Sequence, residues 1–313
     1  MPIEDYKEEI ITRYLNGETA KAIAQDIPYH NSHISRKLHE WGVSRGRKSK
    51  KRLDNEKTIV EDFNNGLYCE DIAKKYNMDV HTVYRILDER NIKRQTGYHS
   101  NCDVTYFEKI DNPHKAYLLG FITADGAVVN NCIAIEVHEK DRGVLEFAKS
   151  QINSQAKILE INYHQVQNAD NGKTYEYDKH NVRIAFSAKK LGIDLAQYGV
   201  IQNKSKIIQS VPYDLIPKDL LPFYFRGLFD GDGTVLENGR IGIYSGSKSF
   251  VEDVQNILVK EAGVSKLKVY HGSAYFAMWD SKEDRQKLFD YLYSDLNATY
   301  YYSRKYERLK NSL

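Results

Sequence analysis

Two aspartates stand at matching places in a string that occurs twice in this chain of 313 residues. Residues 118–126 read LLGFITADG, and residues 225–233, about a hundred positions later, read FRGLFDGDG. Each run carries small residues four positions apart: Ala116, Gly120 and Ala124 in the first, Gly227 and Gly231 in the second. On a helix this spacing puts the small residues on one face, where a second helix can approach closely. We therefore expect two packed helices with Asp125 and Asp232 side by side at their shared C-terminal end.

Two carboxylates in that position are suited to binding a divalent metal ion. The C-terminal end of a helix already carries negative character, so each acid there costs about 0.3–1 kcal/mol, and the two acids repel each other. A cation beside them offsets both effects, and hard oxygen ligands favour Mg²⁺. The alternative for either copy alone is that Asp-Gly only ends a helix in a turn. Two matched copies favour the metal site.

Both strings resemble the LAGLIDADG motif of the homing endonucleases of that name, whose single-chain members contain the motif twice. The second string is the closer match, together with its flanking residues 221–224 (LPFY) and 234–235 (TV). The first string departs from the motif at Thr123, where the family usually has an acid that is not the catalytic one. The resemblance covers roughly residues 113–313.

The resemblance implies a metal centre at the two acids. It implies two or three Mg²⁺ ions shared between Asp125 and Asp232, with the carbonyl groups of Ala124 and Gly231 as further ligands. In such enzymes the metal activates water, which attacks a phosphodiester of each DNA strand.

The resemblance also implies roles for residues around the metal. Lys204 and Lys305 hold similar places in the two halves and correspond to lysines near the scissile phosphate, which polarise water or offset charge in the transition state. Taken singly, both would be ordinary surface lysines. Glu139 and Ser247 fall at strand ends where the family places polar residues that order water, although the two differ in type.

The order of elements after each motif helix predicts an α+β fold. We expect a pseudo-twofold pair of αββαββα units with antiparallel saddle sheets, in halves of about residues 113–210 and 218–313. In the first half, two strands split by Asn130-Asn131 precede a helix from near Asp141, strands near 157–166 and 179–187, and a helix near 189–198. In the second half we expect strands near 234–236, 240–245, 266–271 and 275–279, and helices over 248–262 and 282–294.

Alternation along the expected strands gives each sheet one apolar and one polar face. Val182, Ile184 and Phe186 alternate with polar neighbours such as Asn181 and Arg183. A solvated outer face would explain this pattern, but the resemblance implies that the sheets form a saddle in the major groove of DNA. We expect four basic residues of these strands to contact DNA: Arg183, Arg240, Lys266 and Lys268.

Residues 14–45 and 63–94 are two copies of one helical pattern, which resembles the helix-turn-helix of DNA-binding proteins. We expect two small all-α domains with recognition helices over 31–41 and 80–90. Their outward residues suit base edges and phosphates: Asn31, His33, Arg36 and Lys37 in the first, and His81, Thr82, Tyr84 and Arg85 in the second. Any three-helix domain shows a similar pattern, but the duplication favours DNA binding.

A basic joint, residues 44–52 (SRGRKSKKR), connects the two helical copies. Arg45 and Arg47 flank a glycine, as in arms that lie in the minor groove, and a plain solvated linker is the alternative. The expected domains are residues 1–46, 47–97 and 98–313, of which the second starts within the joint and includes its residues 47–52.

Composition sets few limits on this interpretation. The formal charge of +2 is mild for a DNA-binding protein, so the local distribution of charge has to account for binding. The three cysteines have no zinc-site spacing, which favours a reducing cytoplasm. Neither a membrane-spanning stretch nor a secretory signal is evident. We expect a cytoplasmic, nucleoid-associated protein of a prokaryote or phage host cell, without a membrane partner.

The resemblance thus implies a site-specific homing endonuclease. It would act as a monomeric pseudo-dimer on double-stranded DNA, breaking both strands of a long target and usually leaving short 3′ overhangs. The alternative is a catalytically silent transcription regulator or an intron-splicing maturase on the same scaffold. Both acids and both lysines favour the nuclease, because a pure binder does not need clustered carboxylates that face phosphates. We do not expect an intein, since the sequence starts without a Cys or Ser nucleophile and ends without His-Asn.

Overall fold

The computed structural model describes residues 2–16, 18–43, 50–93, 102–129, 132–168 and 174–313. The chain divides into two compact units, Met1–Glu61 with Ile72–Lys93, and Asp62–Asp71 with Arg94–Leu313. Arg45 and Arg47, with the rest of 44–49, lie outside the described residues, as do Asn130 and Asn131. No helix within the described ranges combines the length and the apolar character needed to cross a membrane.

Before residue 94 the described chain consists of helices and their connections, without a strand. Buried isoleucines form the centre of the first three helices, namely Ile10, Ile23 and Ile34. The hydroxyl of Thr19 and the carboxylate of Asp79 accept backbone N–H bonds and so cap two of the later helices. The helices are α1 Lys7–Leu15, α2 Ala20–Asp26, α3 Asn31–Glu40, α4 Lys50–Asn64, α5 Cys69–Lys75 and α6 Val80–Asp88.

The remainder of the chain contains eight described helices and eight described strands. The helices are α7 Pro113–Asp125, α8 Gly143–Gln151, α9 Lys189–Gln197, α10 Lys204–Ile207, α11 Leu221–Gly231, α12 Lys248–Ala262, α13 Lys282–Leu292 and α14 Ser303–Lys310. The strands are β1 Gly126–Val129, β2 Cys132–His138, β3 Leu159–Asn168, β4 Thr174–Ser187, β5 Gly233–Val235, β6 Ile241–Ser245, β7 Tyr270–His271 and β8 Tyr275–Trp279. This is an α+β fold, as the sequence predicts.

The strands form two antiparallel four-stranded sheets with corresponding strand orders, β1-β2-β4-β3 and β5-β6-β8-β7. In β4 the side chains of Val182, Ile184 and Phe186 are fully buried, whereas Arg183 and Ala185 are exposed. The predicted alternation of a core face and an outer face is therefore confirmed for this strand, and it leaves the outer face available for contact with a partner.

The motif helices α7 and α11 pack directly against each other, as their small residues predict. Helix α7 begins at Pro113, and Oδ1 of Asn112 accepts the N–H of Lys115 at 3.0 Å as its cap. A Cβ atom on Gly120 would lie 1.9 Å from a backbone oxygen of α11, and one on Gly227 would lie 2.0 Å from a backbone oxygen of α7. Only glycine permits this backbone approach, which fixes where the two helices end.

One expected strand is much shorter than predicted. The prediction of a strand over 266–271 is wrong except at Tyr270–His271, which form β7. Side chains of neighbouring helices bond the backbone before β7 and so replace strand pairing there. The N–H of Leu267 donates to Oε1 of Gln255 on α12, and the N–H of Ser265 donates to Oδ1 of Asp284 on α13, both at 2.8 Å. Leu267 and Val269 therefore belong to a loop that packs onto the core, and they do not form strand hydrogen bonds.

Two smaller boundaries also differ from the prediction. The hairpin of β3 and β4 is longer than expected, because β4 begins at Thr174 instead of near 179. The helix expected from Asp141 starts at Gly143, after a 3₁₀ helix over Glu139–Asp141. That short helix places two acids near the end of β2.

Candidate active site

The two predicted acids lie together at the C-terminal ends of the packed helices. Asp125 is the last residue of α7, and Asp232 follows α11 directly. A Cβ atom on Gly231 would lie 2.3 Å from Cβ of Ala124 and 3.4 Å from Oδ2 of Asp125, so the chain at Asp232 runs close beside the first acid. The glycine packing of the helices is therefore what positions the pair.

Burial and mutual repulsion both act on these carboxyl groups. The pKa of Asp232 is raised to about 7, mainly because the carboxyl group is buried and secondly because Asp125 is charged. Burial also raises the pKa of Asp125, although this residue is exposed by its surface area, because protein atoms crowd its carboxyl group. In the described structure neither carboxylate accepts a hydrogen bond. Ionisation of both acids therefore has a free-energy cost that a bound cation would relieve.

Both predicted lysines cap the C-terminal ends of the motif helices. Lys204, at the start of α10, donates from Nζ to the carbonyl oxygen of Ala124 at 2.9 Å. Lys305, on α14, donates to the carbonyl oxygens of Phe229, Asp230 and Gly233 at 2.7, 2.6 and 2.5 Å. Positive charge at these carbonyls offsets the helix dipole that makes the acids unfavourable there.

The two lysines nevertheless differ in how many N–H donors of their ammonium groups remain unused. An ammonium group has three N–H donors. Lys305 uses its donors on backbone carbonyls, and burial lowers its pKa to about 8. Lys204 makes one such bond, and burial lowers its pKa as well. Only Lys204 retains donors for a phosphate oxygen or a water molecule, so the equivalence expected from their placement does not extend to their contacts.

We expect Lys305→Ala to destabilise the fold more than Lys204→Ala. Removal of Lys305 leaves several buried carbonyl groups without a donor, at a cost of about 3 kcal/mol, whereas removal of Lys204 frees one carbonyl, at a cost of about 1 kcal/mol. Urea unfolding of both variants measures this difference, with Lys282→Ala on exposed surface as the control. Equal destabilisation by the two changes would contradict the assigned difference.

A third acid, Asp141, belongs to the site and was missed in the sequence. Its charge raises the pKa of Asp125. Its two carboxylate oxygens accept hydrogen bonds at 3.0 and 2.8 Å from Arg304, the residue before Lys305. The only sequence signal was its place two residues after Glu139, at the end of an expected strand.

The residues expected to order water make other contacts. Glu139 is exposed and lies 3.5 Å from Arg142. Ser247 is buried, and its Oγ accepts the N–H of Phe250 at 3.4 Å as the N-terminal cap of α12. Among the described contacts, neither side chain touches Asp125 or Asp232.

Asp230, the remaining acid of the second string, is a structural residue. Its Oδ2 accepts hydrogen bonds from the hydroxyl of Tyr117 and the N–H of Tyr302, both at 2.9 Å. Burial raises its pKa to about 6. At the equivalent place in the first string, the hydroxyl of Thr123 instead donates to the carbonyl of Leu119. The departure from the motif at Thr123 therefore replaces a buried carboxylate, which accepts two hydrogen bonds, by a neutral hydroxyl that donates within its own helix.

A cavity of about 190 Å³ opens beside the acids. Its lining includes Asp232 and Ala124 from the ends of the motif helices, and Tyr244 from the outer face of β6. Its full lining is Thr123, Ala124, Ile208, Asp232, Tyr244, Ser245, Gly246, Phe250 and Ala274. The candidate metal centre is thus continuous with the edge of the second sheet.

The chemistry of these groups fits a divalent metal held in part by a bound ligand. No three His, Cys, Asp or Glu side chains gather as a metal site in the described ranges. Two carboxylates without hydrogen-bond partners would supply side-chain ligands, and water or phosphate oxygens the others. The carbonyl oxygen of Ala124 already accepts a hydrogen bond from Lys204, and that of Gly231 lies 3.4 Å from Nζ of Lys305. These two expected ligands would share their oxygens with ammonium groups.

The four basic residues expected to contact DNA through the sheets lie in three settings: on a strand, just before a strand, and in a loop. Arg183 is exposed on β4, opposite Glu136 in the register of β2. Arg240 lies just before β6, with Nε 3.7 Å from Asp280. Lys266 and Lys268 are exposed but belong to the loop before β7.

Helices α3 and α6 occupy the ranges in which recognition helices were expected, and the side chains expected to contact DNA differ in exposure. Arg36, His81 and Arg85 are exposed. Lys37 differs from the expectation, because its Nζ lies 2.9 Å from Glu4 and 3.0 Å from Glu40, which hold it in ion pairs. The other expected contacts are partly buried: Asn31, His33, Thr82 and Tyr84.

Comparisons with known proteins support the family resemblance of the second string, residues 225–233. A family model described as a LAGLIDADG-like domain matches residues 223–289, which run from α11 into α13. The resemblance to a LAGLIDADG-like domain is therefore supported over that range, which excludes the first string. A search among curated proteins finds no match.

Several solved structures are similar to the chain at low identity. The homing endonuclease I-WcaI bound to its DNA recognition sequence is 14% identical over 65% of this chain and 90% of that one, with a TM-score of 0.44. Mesophilic variants of the homing endonuclease I-DmoI are 16% identical over 67% and 99%, with a TM-score of 0.41. The N-terminal LAGLIDADG domain of DUF199/WhiA is 15% identical over 62% and 85%, with a TM-score of 0.36.

Proposed function

We propose that this protein is a site-specific DNA endonuclease that breaks both strands of a long duplex target in a metal-dependent reaction. The observation that supports it most is the pair Asp125 and Asp232, which lies at two packed helix ends and has no hydrogen-bond partner among the described residues. Burial and repulsion keep the pKa of Asp232 at about 7, so the site holds negative charge at a cost. A protein that only bound DNA would gain nothing from two such acids facing phosphates.

The proposed roles follow from the contacts of each group. Asp125 and Asp232 would hold Mg²⁺, which supplies activation of water and neutralisation of charge on the phosphate when bound. Lys204, with free donors, contacts a phosphate oxygen and offsets charge that builds up in the transition state. Lys305 and Arg304 act as positioning residues, since one holds the end of α11 and the other holds Asp141.

The two halves of the chain would work as a pseudo-dimer within one monomer. Each half contributes one motif helix, one acid, one capping lysine and one sheet of corresponding strand order. The outer faces of both sheets would form a saddle along the major groove, with one acid serving each DNA strand. The packing of Gly231 against Ala124 brings the two helix ends that carry the acids together. This supports cuts close together across the groove, and we propose short 3′ overhangs.

The N-terminal helices would add affinity through a pair of helix-turn-helix domains. The exposed Arg36 on α3 and Arg85 on α6 are the cations of the two recognition helices that we assign to DNA phosphates. Deletion of residues 1–97 would be a poor test, because Asp62–Asp71 belongs to the same compact unit as the sheets. Substitutions on the helix surfaces avoid that problem.

We expect Arg36→Ala and Arg85→Ala each to weaken DNA binding and flatten its salt dependence. Each lost phosphate contact on duplex DNA lowers the slope of log K against log salt by about 0.9. Titrations between low and moderate salt measure the slope, with the exposed Lys57→Ala on α4 as the control. Unchanged slopes for both arginine variants would remove the N-terminal helices from the DNA-binding surface.

Stability should depend on pH and Mg²⁺ through the acid pair. The pKa of Asp232 is raised by folding, so the folded state is stabilised when this carboxyl group is protonated. This contribution to the free energy of unfolding is complete below about pH 4 and is lost as the pH rises through about 7. Mg²⁺ binds the ionised form, so its increase of the melting temperature should grow from pH 6 to pH 8. Asp232→Asn should remove most of that growth. A Mg²⁺ effect that is equal at both pH values would argue against metal binding at this pair.

The proposed function is tested by exposing a plasmid library of randomised inserts to the protein with Mg²⁺. Sequencing of the new ends should return one long, defined sequence, cut on both strands with short 3′ overhangs. Recovery of a bound sequence without new ends would instead support the catalytically silent regulator or the maturase.

A further inference from the structure

Three aromatic rings stack in a row across the outer face of the second sheet. Tyr244 on β6, Phe276 on β8 and Tyr270 on β7 are register partners in neighbouring strands. The ring centroids of Tyr244 and Phe276 are 5.2 Å apart at an interplanar angle of 25°, and those of Phe276 and Tyr270 are 5.8 Å apart at 27°. We call these three residues the aromatic row.

The aromatic row does not belong to the hydrophobic core. Successive strand residues point to opposite faces, and the buried residues Ile243 and Ala277 occupy the other face of the same strands. All three rings remain at least partly accessible, and Tyr270 is 54% exposed. The remaining members of the outer face are small or apolar and carry no acid: Thr234, Gly242 and Met278.

The first sheet presents a different chemistry on its corresponding face. Glu136 of β2 lies opposite Arg183 of β4, and Nδ2 of Asn181 donates to Oε1 of Glu136 at 2.9 Å. That face therefore carries hydrogen-bond donors and acceptors of both charge signs. Exposed apolar side chains, Leu159 and Tyr163, share that face with them. The outer-face strand residues of the second sheet, by contrast, carry no charge.

The Tyr270 end of the aromatic row is positively charged, whereas Tyr244 at the other end lines the same cavity as Asp232. Nζ of Lys268 lies 5.6 Å from the ring centroid of Tyr270, and Lys266 is exposed nearby in the same loop. Within the described chain neither lysine forms an ion pair. An apolar row bordered by unneutralised cations is complementary to a polyanion that also offers apolar groups, and duplex DNA offers such groups as thymine C5-methyls in its major groove.

The stacking geometry argues against an unpaired base as the ligand. Proteins that bind single strands expose ring faces on which bases stack. Phe276 has a neighbouring ring against each of its faces, so its faces are already occupied. The row can offer ring edges and two phenol hydroxyls, which suit contact with a groove.

We infer that the aromatic row selects thymine-rich sequence in the half of the target that the second sheet covers, while the first sheet reads hydrogen-bonding groups in the other half. This inference rests on the proposed function and adds to it a difference between the two half-sites. Thymine methyls are the apolar groups of the major groove, and removal of each contacted methyl should weaken binding about fourfold. Phe276, at the centre of the row, determines this preference.

Replacement of thymine by uracil tests the inference, because it removes only the methyl group. Binding in Ca²⁺ is measured for the selected duplex with uracil in one half or in the other. We expect uracil in one half alone to weaken binding about fourfold or more, and we expect Phe276→Ala and Tyr270→Ala to reduce that effect. Tyr163→Ala, an exposed aromatic residue of the first sheet, is the matched control and should leave the thymine preference intact.

The outcomes separate this inference from the proposed function. Failure to bind any defined duplex overturns both. Binding that is insensitive to uracil in either half, or a thymine preference that persists unchanged in both row variants, overturns the inference alone. A selected site without thymine enrichment in either half does the same.

Discussion

Asp125→Asn and Asp232→Asn are each expected to slow double-strand cleavage by at least about 100-fold while DNA binding remains. An amide oxygen is a much weaker metal ligand than a carboxylate, so each change weakens metal binding at one strand. Binding should persist or tighten, because a negative group near phosphates is removed. The melting temperature of Asp232→Asn should rise at neutral pH, since burial and Asp125 disfavour its ionised form. Strand-resolved single-turnover cleavage and a binding titration measure these effects.

A matched control for these variants is available at the other end of α7. Asp111 is an exposed carboxylate that pairs with Lys115 at 3.0 Å, just before the first turn of the helix. Asp111→Asn should change neither cleavage nor binding by more than about twofold. A loss of cleavage in Asp111→Asn as large as in the site variants would show that the effect comes from charge in general and not from the acid pair.

Gly227→Ala and Gly120→Ala are expected to destabilise the protein by about 3 kcal/mol or more each. The added Cβ atoms would lie 2.0 and 1.9 Å from backbone oxygens of the facing helix, so the helices must separate. Separation also moves Asp125 away from Asp232, and displacements of about 1 Å at a catalytic site cost about 100-fold in rate. Urea unfolding and cleavage of any folded fraction measure the two consequences.

The control for helix packing is a glycine with open surroundings. A Cβ atom on Gly272 would approach no atom closer than 3.9 Å, so Gly272→Ala should change stability by less than about 0.5 kcal/mol. If Gly227→Ala unfolded at the same urea concentration as Gly272→Ala, the close approach of the motif helices would not be what positions the acids.

Features determined by local periodicity could be predicted from the sequence. The small residues of the two strings predicted the packing of α7 on α11, and helix α12 spans the predicted 248–262. Alternation predicted the buried face of β4. In each case the residues that carry the pattern also make the contact, so no knowledge of distant partners was needed.

Contacts between distant segments could not be predicted in this way. The loop before β7 looked like a strand because nothing in its sequence shows that Gln255 and Asp284 take its backbone N–H groups. The bond of Asp230 to Tyr117, and the different number of carbonyls held by Lys204 and Lys305, depend likewise on segments that meet only after folding. A strand pattern or a lysine spacing carries no record of such partners.

The most direct test of the proposed acid pair is a metal exchange in a preformed complex. The protein is bound in Ca²⁺ to its selected duplex, labelled on both strands, and is then transferred to Mg²⁺ without release. We predict that the wild type cuts both strands in one turnover, whereas Asp125→Asn and Asp232→Asn remain bound and leave the duplex uncut or nicked. A wild-type complex that stays bound and intact in Mg²⁺, behaving as both variants do, would contradict the nuclease and support a DNA-binding regulator or maturase.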